Sequence, residues 1–177
     1  MPNQQINIGL TIPRGQLVIA SFSGSINLFN RANQFLRMEG LDYDKFTVTT
    51  CAHQRNAILY DQYFSVNPDT VYSDAGPFDL VLVPAIEGAP QENIALNGPL
   101  ISWLRSLSSS KNTEFLSLCT GAFMLGAAGL LDGRVCTTHW ADADALQSMF
   151  PHAQVKPDRI ITDEEGVYTS GGAFSGL

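Results

Sequence analysis

The sequence predicts an α/β fold with a mainly parallel sheet, on three observations. Short β-rich runs alternate with helical patterns along the chain. The run Asp79-Leu-Val-Leu-Val-Pro84 is apolar up to its closing proline, as in a strand covered on both faces. With 177 residues the chain can bury one full core but not divide into two ordinary domains, so residues 1–177 are read as a single domain.

The elements follow in order. Ile6–Thr11 reads as a strand closed by Pro13-Arg14-Gly15, and a helix follows from about Ser23, where Ile26, Phe29 and Leu36 recur at helical spacing. Phe46–Cys51 is a second strand, and Ile58–Val66 and Thr70–Ser73 are short strands around the Asn67-Pro68 turn. After Asp79–Pro84, Pro99–Leu107 is a helix with proline in its first turn. Phe115–Leu118 is a buried strand and Thr120–Gly129 is small, apolar and helical. Asp132-Gly133 turns the chain into a strand at Val135–Thr138 and a helix at Ala141–Met149, and the tail holds strands at Arg159–Thr162 and Val167–Ser170.

Composition removes several classes of function. Apolar residues make up 45 % and charged residues 15 %, which excludes a largely disordered chain. Ten Lys and Arg against seventeen Asp and Glu leave a net charge of −7, and the basic residues stand singly. These residues therefore offer no positive footprint for nucleic acid. No apolar run spans a bilayer, and the start MPNQQINIGL lacks the pattern of a secretory signal, so a cytoplasmic protein without a membrane partner is expected. The cysteines, Cys51, Cys119 and Cys136, form no disulfide framework. Cys51-Ala-His53 could supply two metal ligands, but nothing nearby completes a set, so no metal and no cofactor are expected.

In a parallel α/β sheet the site lies at the carboxyl ends of the strands. There Cys119 stands between a strand and a helix, with the small residues Ser117 and Gly121 two positions to either side. This is the spacing of a nucleophile elbow, whose close strand–helix approach tolerates only small neighbours. A thiol at a helix start is expected to have a lowered pKa. The amide of Thr120 would supply half of an oxyanion hole. His139 ends the strand Cys136-Thr-Thr-His139 and would reach the same rim as a base, or would be a plain structural histidine beside Trp140.

The run Cys119-Thr-Gly-Ala-Phe-Met-Leu-Gly-Ala-Ala-Gly-Leu-Leu-Asp-Gly-Arg134, followed by Thr137-Thr-His-Trp140, resembles the class I glutamine amidotransferase-like superfamily, in its PfpI-like branch. Within that branch it is most similar to the N-terminal domain of AraC-type transcriptional regulators. The similarity continues through Phe150-Pro151, Asp158-Arg159 and Tyr168-Thr-Ser-Gly-Gly172.

The resemblance implies a flavodoxin-like three-layer sandwich that is often dimeric. It also implies two groups of function. One comprises cysteine enzymes such as isonitrile hydratases and glyoxalase-type proteins, with Cys119, His139 and the Thr120 amide as machinery. The other is a sensing domain whose DNA contacts belong to a separate C-terminal helix-turn-helix pair. In the enzymes an acid after the first strand tunes the thiol, but here no Asp or Glu occurs from Met1 to Met38, and Ser21 falls at or near its place. Pro84-Ala85 stands where many members carry glycines.

The expectation is therefore a homodimeric ligand-sensing domain for a small-molecule effector. The effector would be bound by Ser21, Gly24, Ser25, Ala85, Cys119, Thr120, His139 and Trp140. The chain's apolar end at Leu177 reads as a truncation before the DNA-binding units. A redox-sensing thiol at Cys119 is a further alternative.

Overall fold

The computed structural model describes residues 5–59, 63–109 and 112–172. Its centre is a seven-stranded sheet. In chain order the strands are β1 (Ile6–Ile12), β2 (Phe46–Ala52), β3 (Thr70–Val71), β4 (Leu80–Val83), β5 (Glu114–Leu118), β6 (Ile161–Glu164) and β7 (Val167–Ser170). They lie side by side in the order β6-β7-β5-β4-β1-β2-β3, all neighbours parallel except the β6–β7 hairpin. From β1 the chain first builds outward through β2 and β3. It then crosses to the other side of β1 and lays down β4, β5 and β7. The order of construction reverses between β1 and β4, the place where open α/β sheets form their crevice.

The helices are α1 (Ile19–Met38), α2 (Pro90–Leu96), α3 (Gly98–Leu107), α4 (Ala122–Ala127) and α5 (Ala143–Met149). Strand alternation assigns them to two faces. On one face Leu10, Ile12, Leu82 and Leu118 pack with Phe22, Ile26 and Phe29 of α1. On the other, Val81, Val83 and Phe115 pack with Leu100 and Leu104 of α3, Phe123 and Leu125 of α4, and Leu146 of α5. The result is an α/β domain with a mainly parallel sheet, as the strand–helix alternation predicts, in the three layers that the resemblance implies. No described helix is long and apolar enough to cross a membrane.

The structure departs from expectation in several places. Helix α1 begins at Ile19, four residues before Ser23, where the amide of Val18 donates to the Ala85 carbonyl and sets the first turn. Ile58–Val66 is a hairpin of Ala57–Leu59 and Phe64–Val66, with its residues 60–62 outside the described residues. The run at Thr70 ends as a strand at Val71 and turns into a 3₁₀ helix over Tyr72–Asp74. Helix α2 was not expected. The helix expected from Thr120 starts as a 3₁₀ turn, Cys119–Gly121, before α4.

The largest correction concerns Val135–Thr138. Only Val135–Cys136 is strand, and it pairs with Gln154–Val155 in a separate two-stranded sheet, not with the main one. Thr137 and Thr138 leave the ladder because side chains take over their bonding. The Thr137 amide donates to Thr169 Oγ1 at 2.7 Å, and Thr137 Oγ1 donates to the Arg159 carbonyl at 3.0 Å. The chain end at 173–177 lies outside the described residues.

Candidate functional site

The site begins with the backbone of Cys119. Strand β5 stops at Leu118, and Cys119 takes a φ of 54°, a left-handed conformation unusual for a residue with a side chain. The turn is held tight from its far side. A Cβ placed on Gly121 would stand 2.5 Å from the Val83 carbonyl oxygen and 2.8 Å from that of Pro84. Only glycine lets the Cys119 turn lie against the end of β4. Ser117, two residues before the thiol, is wholly buried, and its hydroxyl has no hydrogen-bond partner among the described residues.

Side chains tie this turn to its neighbours. Thr120 Oγ1 donates to the Ile86 carbonyl at 2.7 Å and accepts from the Ile86 amide at 2.9 Å. Thr138 Oγ1 donates to the Cys119 carbonyl at 2.9 Å. The segment after β4 is tied on its other side as well. The Ala85 amide donates to Ser21 Oγ at 3.2 Å, the Ala85 carbonyl accepts from Val18, and Gln16–Leu17 pairs antiparallel with Ile86–Glu87. The loops after β1, β4 and β5 therefore form one hydrogen-bonded rim.

Electrostatics contradict the lowered thiol pKa expected from sequence. Cys119 is 8 % exposed, and burial pushes its pKa above the ordinary thiol value. The amide of Thr120 pulls it back, the carboxylate of Asp142 pushes it up, and the Thr120 hydroxyl and His139 amide give smaller pulls downward. The net shift is upward. The helix dipole offers little help, because the thiol belongs to a 3₁₀ turn and α4, which follows it, is a helix of six residues.

His139 reaches the thiol through its main chain. Its Nδ1 accepts from the Ala141 amide at 3.3 Å and lies 3.7 Å from Asp142 Oδ2, and its ring lies against Trp140 with centroids 5.3 Å apart. Among the described residues the imidazole makes no hydrogen bond to the thiol.

The predicted binding residues divide in the same way. Ser21, Ser25 and Ala85 are buried and bonded internally, with Ser25 Oγ donating to the Ser21 carbonyl at 2.8 Å. Gly24 is half-buried and Trp140 faces solvent. Ser21, Ala85, Thr120, Cys119 and the His139 amide thus meet at the rim, while Trp140 stands outside it. Sequence reasoning missed Thr138 and Asp142. The one available signal was their position beside His139, since their approach to Cys119 depends on packing between elements. Cys51 and His53 have no third partner: among the described residues no group of three His, Cys, Asp or Glu could hold a metal.

Residues 25–176 match the DJ-1/PfpI family. The chain belongs to the DJ-1/PfpI family. Among its DJ-1/PfpI relatives, an isonitrile hydratase from Pseudomonas putida is 33 % identical over 112 residues, 63 % of this chain and 46 % of that protein. The HTH-type transcriptional regulator CdhR from Pseudomonas aeruginosa is 32 % identical over 118 residues, 67 % of this chain and 34 % of the regulator. The chain thus spans about half the length of the first relative and about a third of the second. The DJ-1/PfpI fold recurs in an AraC family transcriptional regulator from Pseudomonas putida, with a TM-score of 0.76 and 17 % identity over 96 % of this chain and 85 % of that one. It recurs also in Drosophila melanogaster DJ-1beta, with a TM-score of 0.75 and 15 % identity over 97 % and 84 % of the two chains.

Proposed function

We propose that this chain is the ligand-sensing and dimerisation domain of an AraC-type transcriptional regulator, taking a small-molecule effector at the rim around Cys119. The observation that carries this reading is the state of Ser21. The resemblance assigns a tuning carboxylate to this region. Ser21 supplies a hydroxyl that is wholly buried and bonded to the Ala85 amide. A hydroxyl does not hold and release a proton near neutrality as a carboxylate does. The same bond occupies the Ala85 amide, which is then not free as an oxyanion donor. A thiol whose pKa is raised keeps little nucleophilic thiolate at pH 7. These three facts favour binding over turnover.

In this reading Gly24 and His139 complete the effector site, and the effector biases a homodimer between two arrangements. Leu28, Phe35 and Met38 lie exposed along α1, seven and three residues apart, and would be the contact of such a dimer. DNA contact would belong to helix-turn-helix units outside these residues, consistent with the acidic charge of this part.

The test is to incubate the chain with an isonitrile and follow its consumption, with Cys119 alkylation by iodoacetamide as a function of pH in parallel. The expected result is no consumption above buffer, and alkylation at pH 7 at least roughly tenfold slower than for a free thiol. Cys119→Ser is expected to stay folded. Turnover that disappears in Cys119→Ala would establish the hydratase-like reading instead.

A further inference from the structure

A cavity of about 670 Å³ opens at the carboxyl ends of β1 and β2, on the side of the β1 loop that faces β2. It shares Gln16 with the rim, and its lining includes none of Ser21, Ala85, Cys119, Thr120 and His139. Its floor is apolar and buried, made by Ile12, Ala52 and Leu59. Tyr63 and Leu96 stand at its mouth, 85 % and 47 % exposed, so apolar surface is left facing water at a concave site. The volume lies within the range of small-molecule pockets, and an apolar floor with a few polar groups is their usual construction.

The formal charge among the described lining residues is positive. Arg14 is the cationic residue at this cavity, accompanied by the neutral amides of Gln16, Gln54 and Asn56 and by the imidazole of His53. No Asp or Glu is among the described residues that line it, in a chain of net charge −7. The Arg14 guanidinium has no ion-pair partner among the described residues, whereas Arg37 is paired with Asp44.

The turn that carries Arg14 is nevertheless fixed. The Asn97 side chain, 2 % exposed, accepts from the Arg14 amide at 2.8 Å and donates to the Arg14 carbonyl at 2.9 Å. A buried amide therefore holds both main-chain groups of this arginine and leaves its guanidinium to the cavity. Preorganisation of this kind lowers the ordering cost of binding.

We propose that this cavity binds an organic monocarboxylate with a compact apolar body. The carboxylate would lie on the planar guanidinium fork of Arg14, with the side-chain amides as secondary donors. The apolar body would cover Ile12, Ala52 and Leu59. A single guanidinium matches a single carboxylate and repels an amine of the same shape. This inference does not rest on the sensing reading, because none of the residues assigned to the effector lines this cavity.

The experiment is calorimetric titration of the 177-residue chain with phenylpropionate and octanoate, against phenylpropylamine and phenylpropanol. The carboxylates are expected to bind at least roughly tenfold tighter than the amine or alcohol. Arg14→Gln, at an exposed position, is expected to weaken them about tenfold through loss of the charge-assisted pair. Ala57→Trp should fill the cavity and abolish binding, and Cys119→Ser should leave it unchanged. The proposal is overturned by equal affinity for the amine, by an unaltered affinity in Arg14→Gln, or by no saturation with either acid at about 10 mM, above the range set by one ion pair and a buried apolar group. It is also overturned if Ala57→Trp changes self-association in sedimentation while carboxylate affinity stays, since the cavity would then be a contact between copies. Loss of the sensing reading alone would show as isonitrile turnover at Cys119 with carboxylate binding intact.

Discussion

At Gly121 the chain passes so close to the end of β4 that one methyl group decides whether the Cys119 turn can form. Gly121→Ala would set a carbon 2.5 Å from a backbone oxygen, and backbone in a central strand cannot move aside cheaply. A loss of about 2–3 kcal/mol is expected in urea denaturation. Gly126→Ala is the control: its added carbon meets the ring of the half-buried Phe150, which can turn, so the loss should be smaller. Equal losses would mean that the rim yields as easily as a side chain does. The small residues around Cys119 were legible in the sequence because their requirement is local. The raised pKa of the thiol was not, because it arises from burial and from Asp142, which a different segment brings in.

Among the elements, the strands with unbroken apolar or β-branched runs were legible, and β1, β2, β4 and β5 lie within one or two residues of their expected bounds. Helix α2 was not, since a seven-residue helix bounded by Gly88, Pro90 and Asn97 has too few turns to show a period. Val135–Thr138 was legible as extended chain but not as to which sheet takes it, a choice made by Thr169 and Arg159 far along the sequence. Asn97, between α2 and α3, also binds the Asn93 carbonyl at 2.8 Å and so joins the helices to the Arg14 turn. Asn97→Ala is expected to cost about 1–2 kcal/mol, less than a fully buried loss because water can reach the exposed turn. Hydrogen exchange at the Arg14 amide should rise well beyond the change in global stability. Protection that falls only in step with global stability would show that the turn does not depend on Asn97.

The whole molecule holds its three cysteines as buried free thiols, and this sets its response to alkali. Burial, with Asp69 adding to it, pushes Cys51 up to about 12, and burial pushes Cys136 up to about 11. Tyr72 is shifted upward by burial too, its ring stacked on Trp103 with centroids 5.0 Å apart. In the unfolded chain these thiols release protons near their ordinary value of about 8.5. Between that value and the raised ones the folded state holds more protons than the unfolded state, so stability falls as pH rises. Urea midpoints should be level near neutrality and decline from about pH 9. Cys51→Ala should lower the midpoint at pH 7 through the cavity it leaves, and should also flatten the alkaline decline. An unchanged slope would show that Cys51 titrates normally in the folded protein. At this scale the α/β class and its parallel sheet were legible from the alternation of strands and helices, and the three layers from the resemblance carried by the Cys119–Arg134 run. The cavity at the ends of β1 and β2 was not, because its residues come from separate stretches that only the fold assembles.

The four residues 84–87 bond to the β1 loop on one side and to the Cys119 turn on the other. This fixes the length of the chain there. One residue inserted between Val83 and Ile86 would shift the pairing with Gln16–Leu17 by a position and turn the core-facing Ile86 side chain outward. The partners of Thr120 would move with it. The hairpin strands Ala57–Leu59 and Phe64–Val66 pair with each other in a sheet of their own. Variation in loop length across descendants of this sequence should therefore collect in the hairpin and leave residues 84–87 at constant length.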